Sequence, residues 1–419
     1  MSTTRRFAFE IFICSLCLGG IIFSRLLIHG GQTEASPEVA GVSSSEPSEA
    51  PPEKAGLSLS ELEKIEPAVE ASIKAGEMPG AVVLAVRHGK TYYLKAFGNR
   101  AIKPAKEPMT TDTIFDIASL TKVVATTPAI MHLADKGMLR LDDPVNRHLP
   151  RFTGGGKDNI TLRHLLTHYS GLRAGFEPSK KWSGYDGALE EIWKDRAVNT
   201  PGRSFIYSDL NFIVLAEIVR AVSGKPLDVY ARENIFLPLG MTETSFTPPA
   251  EWAPRIAPTE MREQGENPME YKMLRGTVHD MTTWKMGGVS GQAGVFSSAR
   301  DLAIYAQALL NRGEYGDGGR FLSEAAVTAM TSPQSPPRAV NVRGYGWDIE
   351  SEYSSPRGSL FSGGFGHTGF TGTSIWVHPP SDSFVIILSN RVHPSGGKNI
   401  NNLRRAIADI VAASIINPG

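Results

Sequence analysis

The pattern of apolar and polar residues places strands near both ends of the folded part of the chain, with helices between them. Apolar runs rich in β-branched residues predict strands over 81–87 and 90–97, joined by a short turn. Two more strands are predicted over 373–378 and 383–389. The economical arrangement is an α+β fold, in which one antiparallel sheet is built from both ends and a helical insertion lies beside it.

Apolar residues spaced three and four apart predict several amphipathic helices through the middle of the chain. Ser58 and Glu61 form a capping-box pattern, which predicts a helix that ends at about residue 75. The segment that begins at Ser119 keeps helical spacing as far as Gly137, and Pro128 is expected to kink it or to mark an irregular turn. Three further helices are predicted: one that begins over 160–166 and is ended by Ser170 and Gly171, one over 207–222 with Ser208 as its N-cap, and one over about 401–415.

The N-terminal pattern is that of an export signal. Arg5 and Arg6 precede a mostly apolar run over 7–28, and a positive start before an apolar stretch is typical of signal peptides. An uncleaved membrane anchor is the alternative, since a run of this length nearly spans a bilayer. Residues 1–30 are therefore predicted to be a signal peptide or a membrane anchor, and the protein is expected outside the cytoplasm, periplasmic or secreted.

The composition changes after this segment. Residues 31–57 are rich in Ser, Pro, Glu, Ala and Gly, and such a mixture cannot bury enough apolar surface to order itself. We expect a disordered linker there, which would tether the folded domain, 58–419, to the N-terminal segment. Both cysteines, Cys14 and Cys17, precede the linker, so the domain has no disulfide, thiolate metal site or thiol nucleophile.

The overall charge argues against some partners. The 419 residues include 43 basic and 43 acidic side chains, and this neutral balance gives no reason to expect nucleic acid or a charged membrane surface as a partner. His164 and His168 stand four apart, which is a metal-ligand spacing, but no glutamate accompanies them in the zincin pattern. Neither a metal nor a cofactor is expected.

The first chemical signal is the pair Ser119 and Lys122, at the start of an amphipathic stretch. Residues three apart on a helix are neighbours, so the hydroxyl and the amine would share one face. A serine becomes a good nucleophile when a nearby base takes its proton, and burial at a helix N-terminus lowers the pKa of a lysine. A second copy of the pattern, Ser395 and Lys398, lies in a Pro/Gly-rich turn where no helix would align the two groups.

The second signal is Tyr207-Ser208-Asp209. If these residues are extended, side chains two apart point the same way, so Tyr207 and Asp209 could reach one cleft. A tyrosine beside a lysine is a credible proton shuttle, because an ammonium favours a phenolate. The alternative is that Tyr207 packs at a helix start while Ser208 and Asp209 merely cap the helix.

The third signal is His367-Thr368-Gly369, within a glycine-rich segment over 363–372. Glycines let another backbone approach a strand closely, so a substrate can pair along the strand edge. A backbone N–H at such an edge can also donate to an oxyanion. The alternative is a flexible glycine loop.

In this order and at these spacings, the three motifs resemble those of the serine β-lactamase and penicillin-binding protein superfamily. The second motif is similar to the Tyr-x-Asn form of class C β-lactamases and related D-alanyl-D-alanine peptidases. The resemblance extends over roughly residues 58–415. It implies a β-lactamase/transpeptidase-like fold, with an antiparallel sheet flanked by helices plus a helical subdomain. Other family-like stretches cover 160–172, 235–241 and 276–303.

The resemblance also implies roles for the motif residues. Ser119 would attack a carbonyl and become acylated, Lys122 and Tyr207 would relay its proton to the leaving group, and water would hydrolyse the acyl-enzyme. The oxyanion hole would consist of the backbone N–H groups of Ser119 and Phe370. The residues implied in contacting the substrate are Asp209, His367, Thr368 and Gly369.

Two of these positions depart from the commonest family pattern. Asp209 stands where the motif usually has Asn, and an ionised carboxylate cannot donate a hydrogen bond to a substrate amide. We expect Asp209 to bind Lys122 instead and to raise the pKa of that lysine. His367 stands where the motif usually has Lys, which weakens the fixed positive charge available to a substrate carboxylate.

The resemblance therefore implies an exported serine hydrolase that takes a small-molecule or peptide acyl substrate. A penicillin-binding D,D-carboxypeptidase would act on peptidoglycan stem peptides, whereas a β-lactamase would act on β-lactams. A carboxylesterase acting on small acyl esters is an alternative, as is a non-catalytic peptidoglycan- or peptide-binding relative. The intact Ser119, Lys122 and Tyr207 argue against the non-catalytic alternative.

Overall fold

The structure is a computed structural model that describes residues 46–263, 271–359 and 361–416. The predicted signal peptide or anchor over 1–30 and the first part of the predicted linker lie outside these residues. Along the described ranges, no helix is both long enough and apolar enough to cross a membrane.

Strands lie at both ends of the described chain, as the hydrophobic pattern predicts. In chain order, the described strands are β1 (Ser48–Glu49), β2 (Gly80–Arg87), β3 (Lys90–Ala101), β4 (Glu107–Pro108), β5 (Phe115–Asp116), β6 (Met261–Glu263), β7 (Tyr271–Met273), β8 (Phe296–Ser297), β9 (Glu314–Tyr315), β10 (Gly319–Arg320), β11 (Val342–Arg343), β12 (Asp348–Glu350), β13 (Phe365–Thr368), β14 (Ser374–His378) and β15 (Ser383–Ser389).

Helices occupy most of the region between the two groups of long strands. The described α-helices are α1 (Leu59–Leu62), α2 (Ile65–Lys74), α3 (Thr127–Asp135), α4 (Leu162–Leu166), α5 (Gly184–Lys194), α6 (Asp209–Ser223), α7 (Leu227–Ala231), α8 (Leu237–Leu239), α9 (Met281–Lys285), α10 (Ala299–Leu310), α11 (Glu324–Thr331) and α12 (Asn401–Ser414).

One large sheet joins the two ends of the domain. Its strand order is β1-β3-β2-β15-β14-β13-β12-β11, with β4 added to β3. Only the pairing of β1 with β3 is parallel within the described part of this sheet. β15 pairs with β2, with Ser383 opposite Arg87 and Ser389 opposite Ala81. The predicted α+β fold with one antiparallel sheet built from both ends is confirmed.

Alternating side chains along β2 separate two hydrophobic cores, because successive residues of a strand point to opposite faces. Val82 and Leu84 lie in the larger core, together with buried residues of α3, α6 and α10. Val83 lies in the smaller core, with buried residues of α2 and α12. Leu120, the residue after Ser119, belongs to the larger core, so the predicted nucleophile lies on that side of the sheet.

The start of the domain differs from the expected linker. Residues 46–57 were expected to be disordered, but β1 pairs with β3 and Leu57 is fully buried. Side chains of β3 also hold the segment, since Lys90 Nζ donates to Ser48 Oγ (2.7 Å) and Thr91 Oγ1 donates to the carbonyl oxygen of Pro47 (3.1 Å). The average composition of 31–57 therefore does not predict the structure of its last twelve residues.

The first predicted helix is interrupted, and only half of its capping box forms. The Oγ of Ser58 accepts a hydrogen bond from the N–H of Glu61 (3.4 Å). The N–H of Ser58 donates to the carbonyl oxygen of Ser414 (2.7 Å) instead of to the Glu61 side chain. The chain then forms two short helices, α1 and α2, in place of one.

The helix predicted to follow Ser119 is built of three segments. Ala118–Leu120 forms a 3-10 turn, Lys122–Thr126 forms a π-helix, and α3 completes the element. Pro128 is the second residue of α3 and follows the π-helix almost directly. The irregularity predicted at Pro128 is thus a π-helical turn immediately before it.

Candidate active site

Ser119 lies on the first turn after β5, where the backbone is held from two sides. The N–H of Ile117 donates to the carbonyl oxygen of Val295 (3.0 Å), and the N–H of Ala118 donates to Asp116 Oδ1 (2.9 Å). Ala118 has a φ of 46°, in the left-handed region that is costly for a residue with a side chain. These bonds hold the strained turn that presents the Ser119 hydroxyl to the cleft.

Lys122 contacts Ser119 as the three-residue spacing predicts. Its Nζ lies 3.1 Å from Ser119 Oγ, donates to the carbonyl oxygen of Gln292 (3.0 Å) and lies 2.8 Å from Asp209 Oδ1. The lysine side chain is fully buried, whereas Asp209 is 40% exposed. A buried amine with three oxygens around it is held in one position.

These oxygens also decide the charge of the amine. Burial lowers the pKa of Lys122, but the negative charge of Asp209 and the interactions with Tyr207 outweigh burial, so the pKa is raised above its usual value. An ammonium has no lone pair, so this direction of the pKa shift argues against Lys122 as the base that takes the proton of Ser119. The contact expected between Asp209 and Lys122, and the raised pKa expected from it, are confirmed, whereas the lowered pKa expected from burial at a helix N-terminus is wrong.

Tyr207 and Asp209 reach the same nitrogen from the start of α6. The Lys122 Nζ lies 5.0 Å from the centre of the Tyr207 ring. Ser208 occupies the N-cap position, but its Oγ donates to the carbonyl oxygen of Arg173 (2.6 Å) and makes no capping bond. The structure therefore favours a shared cleft over the alternative in which Ser208 and Asp209 only cap the helix.

The third motif lies beside Ser119 because the turn after β13 is bonded to the segment before the serine. The Oγ1 of Thr371 donates to the carbonyl oxygen of Asp116 (2.7 Å), and that of Thr373 donates to the carbonyl oxygen of Ile117 (3.0 Å). A Cβ on Gly369 would lie 2.5 Å from the Ile117 oxygen, so only glycine permits this approach. The glycine-rich segment is thus a packed strand end, not a loose loop.

His367 is buried and uncharged in this position. Its Nδ1 lies 2.8 Å from the carbonyl oxygen of Thr368, which fixes the proton on Nδ1. Burial, assisted by the positive charges of Arg343 and Lys122, lowers the pKa of His367 well below its usual value. At neutral pH, His367 therefore supplies none of the fixed positive charge that the usual Lys of this motif would carry.

The two backbone N–H groups implied in an oxyanion hole are available. Neither Ser119 nor Phe370 donates its N–H to an acceptor within the described ranges. A free N–H beside a nucleophile can stabilise the negative charge that develops on a carbonyl oxygen.

Two cavities meet at the Ser119 hydroxyl, and both are lined by Ser119, Tyr207 and Phe370. The first, which we call the cationic cavity, has a volume of about 340 Å³; the second, the acidic cavity, has a volume of about 350 Å³. Phe370 lies between them, 61% exposed. The guanidinium of Arg391 lies 4.6 Å from the centre of its ring, and His279 stacks on it at 5.7 Å.

The walls of the two cavities differ in charge. The cationic cavity is lined by Arg343, Arg391 and Arg404, with Asp348 as its carboxylate. Arg343 and Asp348 pair with each other at 3.2 Å, both nearly fully buried, which leaves a net positive charge from the other two arginines. The acidic cavity is lined by Asp209, Asp280 and Arg262, together with uncharged residues and His279.

Some residues of the cleft were not predicted from the sequence. Gln292 contacts Lys122 through its backbone oxygen, so its residue type carries no signal. Arg404 donates to the carbonyl oxygens of Gly369 and Thr373 (3.2 and 2.8 Å). A signal was present for Arg404, because this charged residue lies among the buried positions of α12 beside Leu403.

The two histidines with metal-ligand spacing have protein partners instead. His164 Nδ1 accepts from the N–H of Thr161 (3.2 Å) in a capping box at the start of α4. His168 Nδ1 accepts from the N–H of Ser208 (3.0 Å). Within the described residues, no group of three or more His, Cys, Asp or Glu side chains is arranged to hold a metal ion.

Comparisons with known proteins show the family of the chain. The model of the beta-lactamase family matches residues 65–410. An Escherichia coli O157:H7 protein named "Putative D-alanyl-D-alanine carboxypeptidase" is 33% identical over 392 residues, covering 86% of each chain. An N-acetylmuramyl-L-alanine amidase of Bacillus subtilis (strain 168) is 32% identical over 367 residues, covering 79% of this chain and 81% of that one.

A solved structure extends the likeness to the fold. It is that of EstCE1, a hydrolase with promiscuous acyltransferase activity, with a TM-score of 0.66 at 23% identity. The match covers 85% of this chain and 99% of EstCE1. The chain belongs to the beta-lactamase family and is a serine hydrolase of the β-lactamase and penicillin-binding protein superfamily.

Proposed function

We propose that the protein is a penicillin-binding, D,D-carboxypeptidase-like enzyme that acts through an acyl-enzyme on Ser119. The observation that carries this proposal is the cluster around one nitrogen, Lys122 Nζ. Ser119 Oγ lies 3.1 Å from it and the centre of the Tyr207 ring lies 5.0 Å from it. A hydroxyl held against a buried ammonium and a phenol is arranged as an activated nucleophile, which a binding module does not need.

In this proposal Tyr207 reacts as the phenolate, which accepts the proton of Ser119 Oγ and becomes the phenol, while Lys122 stays protonated. Asp209 keeps the amine charged, and the ammonium stabilises negative charge on the phenol oxygen. Ser119 Oγ attacks the carbonyl carbon, and the carbonyl oxygen takes up negative charge beside the N–H groups of Ser119 and Phe370. The proton then passes to the leaving amine, and water later hydrolyses the ester on Ser119.

The charge of the cationic cavity supports a substrate with a carboxylate on the leaving-group side. His367 supplies no charge, because burial and the nearby cations keep it neutral. Arg391 and Arg404 line the same cavity and carry the positive charge that a carboxylate needs. A peptide that ends in D-Ala-D-Ala has such a carboxylate, and the name of the Escherichia coli relative agrees with this substrate class.

Release of D-alanine from a synthetic peptide that ends in D-Ala-D-Ala tests the substrate class. The control is the same peptide with its C-terminus as an amide. A charge-assisted hydrogen bond contributes about 1.5–3 kcal/mol, so we expect kcat/KM to favour the free acid by about tenfold or more. Arg391→Gln should lower the ratio of kcat/KM on the free acid to kcat/KM on the amide. Equal rates on acid and amide would contradict a carboxylate-recognising peptidase.

A carboxylesterase is the second candidate, and Asp209 is the observation that favours it. Asp209 forms an ion pair with Lys122 and has no N–H to offer a substrate amide, whereas a simple ester does not require that donor. The likeness to EstCE1 supports a shared fold with a hydrolase of this kind. Hydrolysis of short p-nitrophenyl esters without any release of D-alanine would favour this candidate, and rapid turnover of a penicillin would favour a β-lactamase.

We also propose that the domain acts outside the cytoplasm, carried there by the signal peptide or anchor predicted over 1–30. The support is the sequence pattern, Arg5 and Arg6 before an apolar run. Fractionation of cells that express the full chain tests this proposal. Recovery in the periplasm, medium or membrane is expected, and recovery in the cytosol alone would contradict it.

A further inference from the structure

The residue before and the residue after Tyr207 are both hydrogen-bonded to His168. The N–H of Ile206 donates to the His168 carbonyl oxygen (3.0 Å), and the N–H of Ser208 donates to His168 Nδ1 (3.0 Å). The imidazole also stacks on the Tyr207 ring, with 4.5 Å between ring centres and 27° between planes. His168 thus contacts the backbone on both sides of Tyr207 and one face of its phenol.

We propose that His168 is a positioning residue, which fixes the Tyr207 hydroxyl against Lys122 and Ser119. The inference rests on the proposed role of Tyr207 in proton transfer. Displacement of a proton-transfer group by about 1 Å can lower a rate by about a hundredfold. A side chain that fixes both the backbone and the ring of Tyr207 therefore acts on the rate without touching substrate.

His168 is itself held rigidly. It is fully buried, and its ring packs against Phe212 at 5.2 Å. Its φ is 62°, a conformation that residues with side chains rarely adopt and that persists only where surrounding contacts impose it. The strain lies at the residue that supports Tyr207, where strained backbone commonly serves a functional site.

The hydrogen-bond donor to Nδ1 also decides the form of the imidazole. Because Nδ1 accepts from Ser208, the ring proton must be on Nε2, and the ring must be neutral. Burial and the positive charges of Arg343 and Lys122 act in the same direction, since they hold the pKa of His168 well below its usual value. His168 Nδ1 can therefore accept the hydrogen bond from Ser208 throughout the neutral pH range.

A residue that only fills the core would not need this acceptor. In His168→Phe, a ring of similar shape can still stack on Tyr207, but the buried N–H of Ser208 loses its partner. In His168→Asn, the side-chain oxygen can still accept from Ser208, and Asn tolerates a positive φ better than most residues. The two variants therefore separate the hydrogen bond from the stacked ring.

The matched control is His164, one turn earlier on the same short helical stretch. Its Nδ1 also accepts a backbone N–H, that of Thr161, at 3.2 Å. His164 is not in contact with Tyr207 within the described ring contacts and hydrogen bonds. His164→Asn should therefore leave the acylation rate unchanged, whatever it does to the melting temperature.

The test is the acylation of Ser119 by a fluorescent penicillin, measured as rate against penicillin concentration. We expect His168→Phe to lower the limiting acylation rate about tenfold or more, with the half-saturating concentration within about threefold of wild type. His168→Asn should recover most of the loss. In a Tyr207→Phe background, His168→Phe should not lower the acylation rate further, because the hydroxyl that His168 positions is absent.

Three outcomes would overturn the proposal. In the first, folded His168→Phe is acylated at the wild-type rate. In the second, the loss of acylation rate in His168→Phe adds fully to the loss in Tyr207→Phe. In the third, His164→Asn lowers the acylation rate as much as His168→Phe does. Absence of any adduct on wild-type Ser119 would instead overturn the proposed function, and this inference with it.

Discussion

At the scale of single residues, the charge of one amine decides how Ser119 can be activated. Lys122 is buried, which alone would favour the neutral amine that the Ser-x-x-Lys pattern suggests as a base. Asp209 at 2.8 Å reverses this effect and raises the pKa of Lys122. In the proposed mechanism, the ammonium therefore organises charge and Tyr207 is the group that accepts the proton.

Asp209→Asn tests this assignment through pH. Without the carboxylate, the pKa of Lys122 falls, because only burial and the Tyr207 contact remain. If the ammonium is required, activity is lost when the pH rises through the pKa of Lys122. The alkaline limb of the kcat/KM profile should therefore move to lower pH in the variant.

The opposite assignment gives a different profile. If neutral Lys122 were the base, Asp209→Asn would move the acidic limb to lower pH and raise activity below neutrality. That result, measured on the same substrate at constant ionic strength, would contradict an ammonium at Lys122.

Residue contacts could be predicted from the sequence where the spacing of the helix fixes them. The contact of Ser119 with Lys122 was expected from helical spacing, whereas that of Asp209 with Lys122 was expected from the family resemblance, because a carboxylate stands where the motif usually has Asn. The hydrogen bond from Lys122 to the backbone oxygen of Gln292 was not expected, since any residue can offer a backbone oxygen. The same holds for the two backbone bonds to His168, one of which uses its carbonyl oxygen.

At the scale of elements, the segment over 291–297 holds the Ser119 turn in place. β8 pairs with β5, immediately before the turn. Gln292 bonds Lys122, and the carbonyl oxygen of Gly291 accepts from Thr126 Oγ1 (2.7 Å) in the π-helix. The same short segment therefore supports the nucleophile from before and after it.

Gly291→Ala should displace this segment. A Cβ at Gly291 would lie 1.9 Å from the carbonyl oxygen of Phe212 in α6, so the backbone must move. We expect a loss of about 1–3 kcal/mol in the free energy of unfolding, together with slower acylation of Ser119. Urea unfolding and the acylation rate measure the two effects.

Gly175→Ala is the control for this variant. Nothing lies within 4 Å of a Cβ at Gly175, and its φ is not in the left-handed region. It should change neither the stability nor the rate. Wild-type acylation in Gly291→Ala would show that the segment does not support the site.

The type of each long element could be predicted, whereas its internal geometry could not. The hairpin of β2 and β3 follows from two apolar runs, and His88 and Gly89 turn between them with φ of 50° and 66°. The π-helix before α3 was predicted only as an irregularity at Pro128. Over a single turn, the spacing of apolar residues does not show whether each N–H bonds the carbonyl oxygen four residues earlier, as in an α-helix, or five residues earlier, as in a π-helix.

At the scale of the whole molecule, the sheet separates the site from a second core. Ser119 lies on the side of the larger core, whereas α2 and α12 cover the other face. α12 also carries Arg404 to the edge of the cleft, where it bonds the backbone of Gly369 and Thr373. The smaller core therefore lies apart from Ser119, and α12 reaches the cleft through Arg404.

Ile407→Ala should show this separation. Ile407 is fully buried in the smaller core, and removal of such a side chain costs about 2–5 kcal/mol of stability. Acylation of Ser119 should stay near the wild-type rate at temperatures where the variant is folded. A folded variant that has lost acylation would contradict the separation of the second core from the site.

The sheet built from both ends could be predicted because the sequence has strands at both ends and helices between them. The meeting point of its two parts could be inferred as the place of the cleft. The order of the edge strands could not be predicted, because β11 and β12 are only two and three residues long. Nor could the packing of residues 46–57, since their average composition does not predict the pairing with β3.

Intact mass measurement after exposure to a fluorescent penicillin tests directly whether Ser119 forms an acyl-enzyme. We expect the mass of the protein to rise by one penicillin and the added mass to map to the peptide containing Ser119. Ser119→Ala should remain unmodified under the same conditions. No adduct with a penicillin or with an activated ester, or an adduct that persists in Ser119→Ala, would contradict an acyl-enzyme on Ser119.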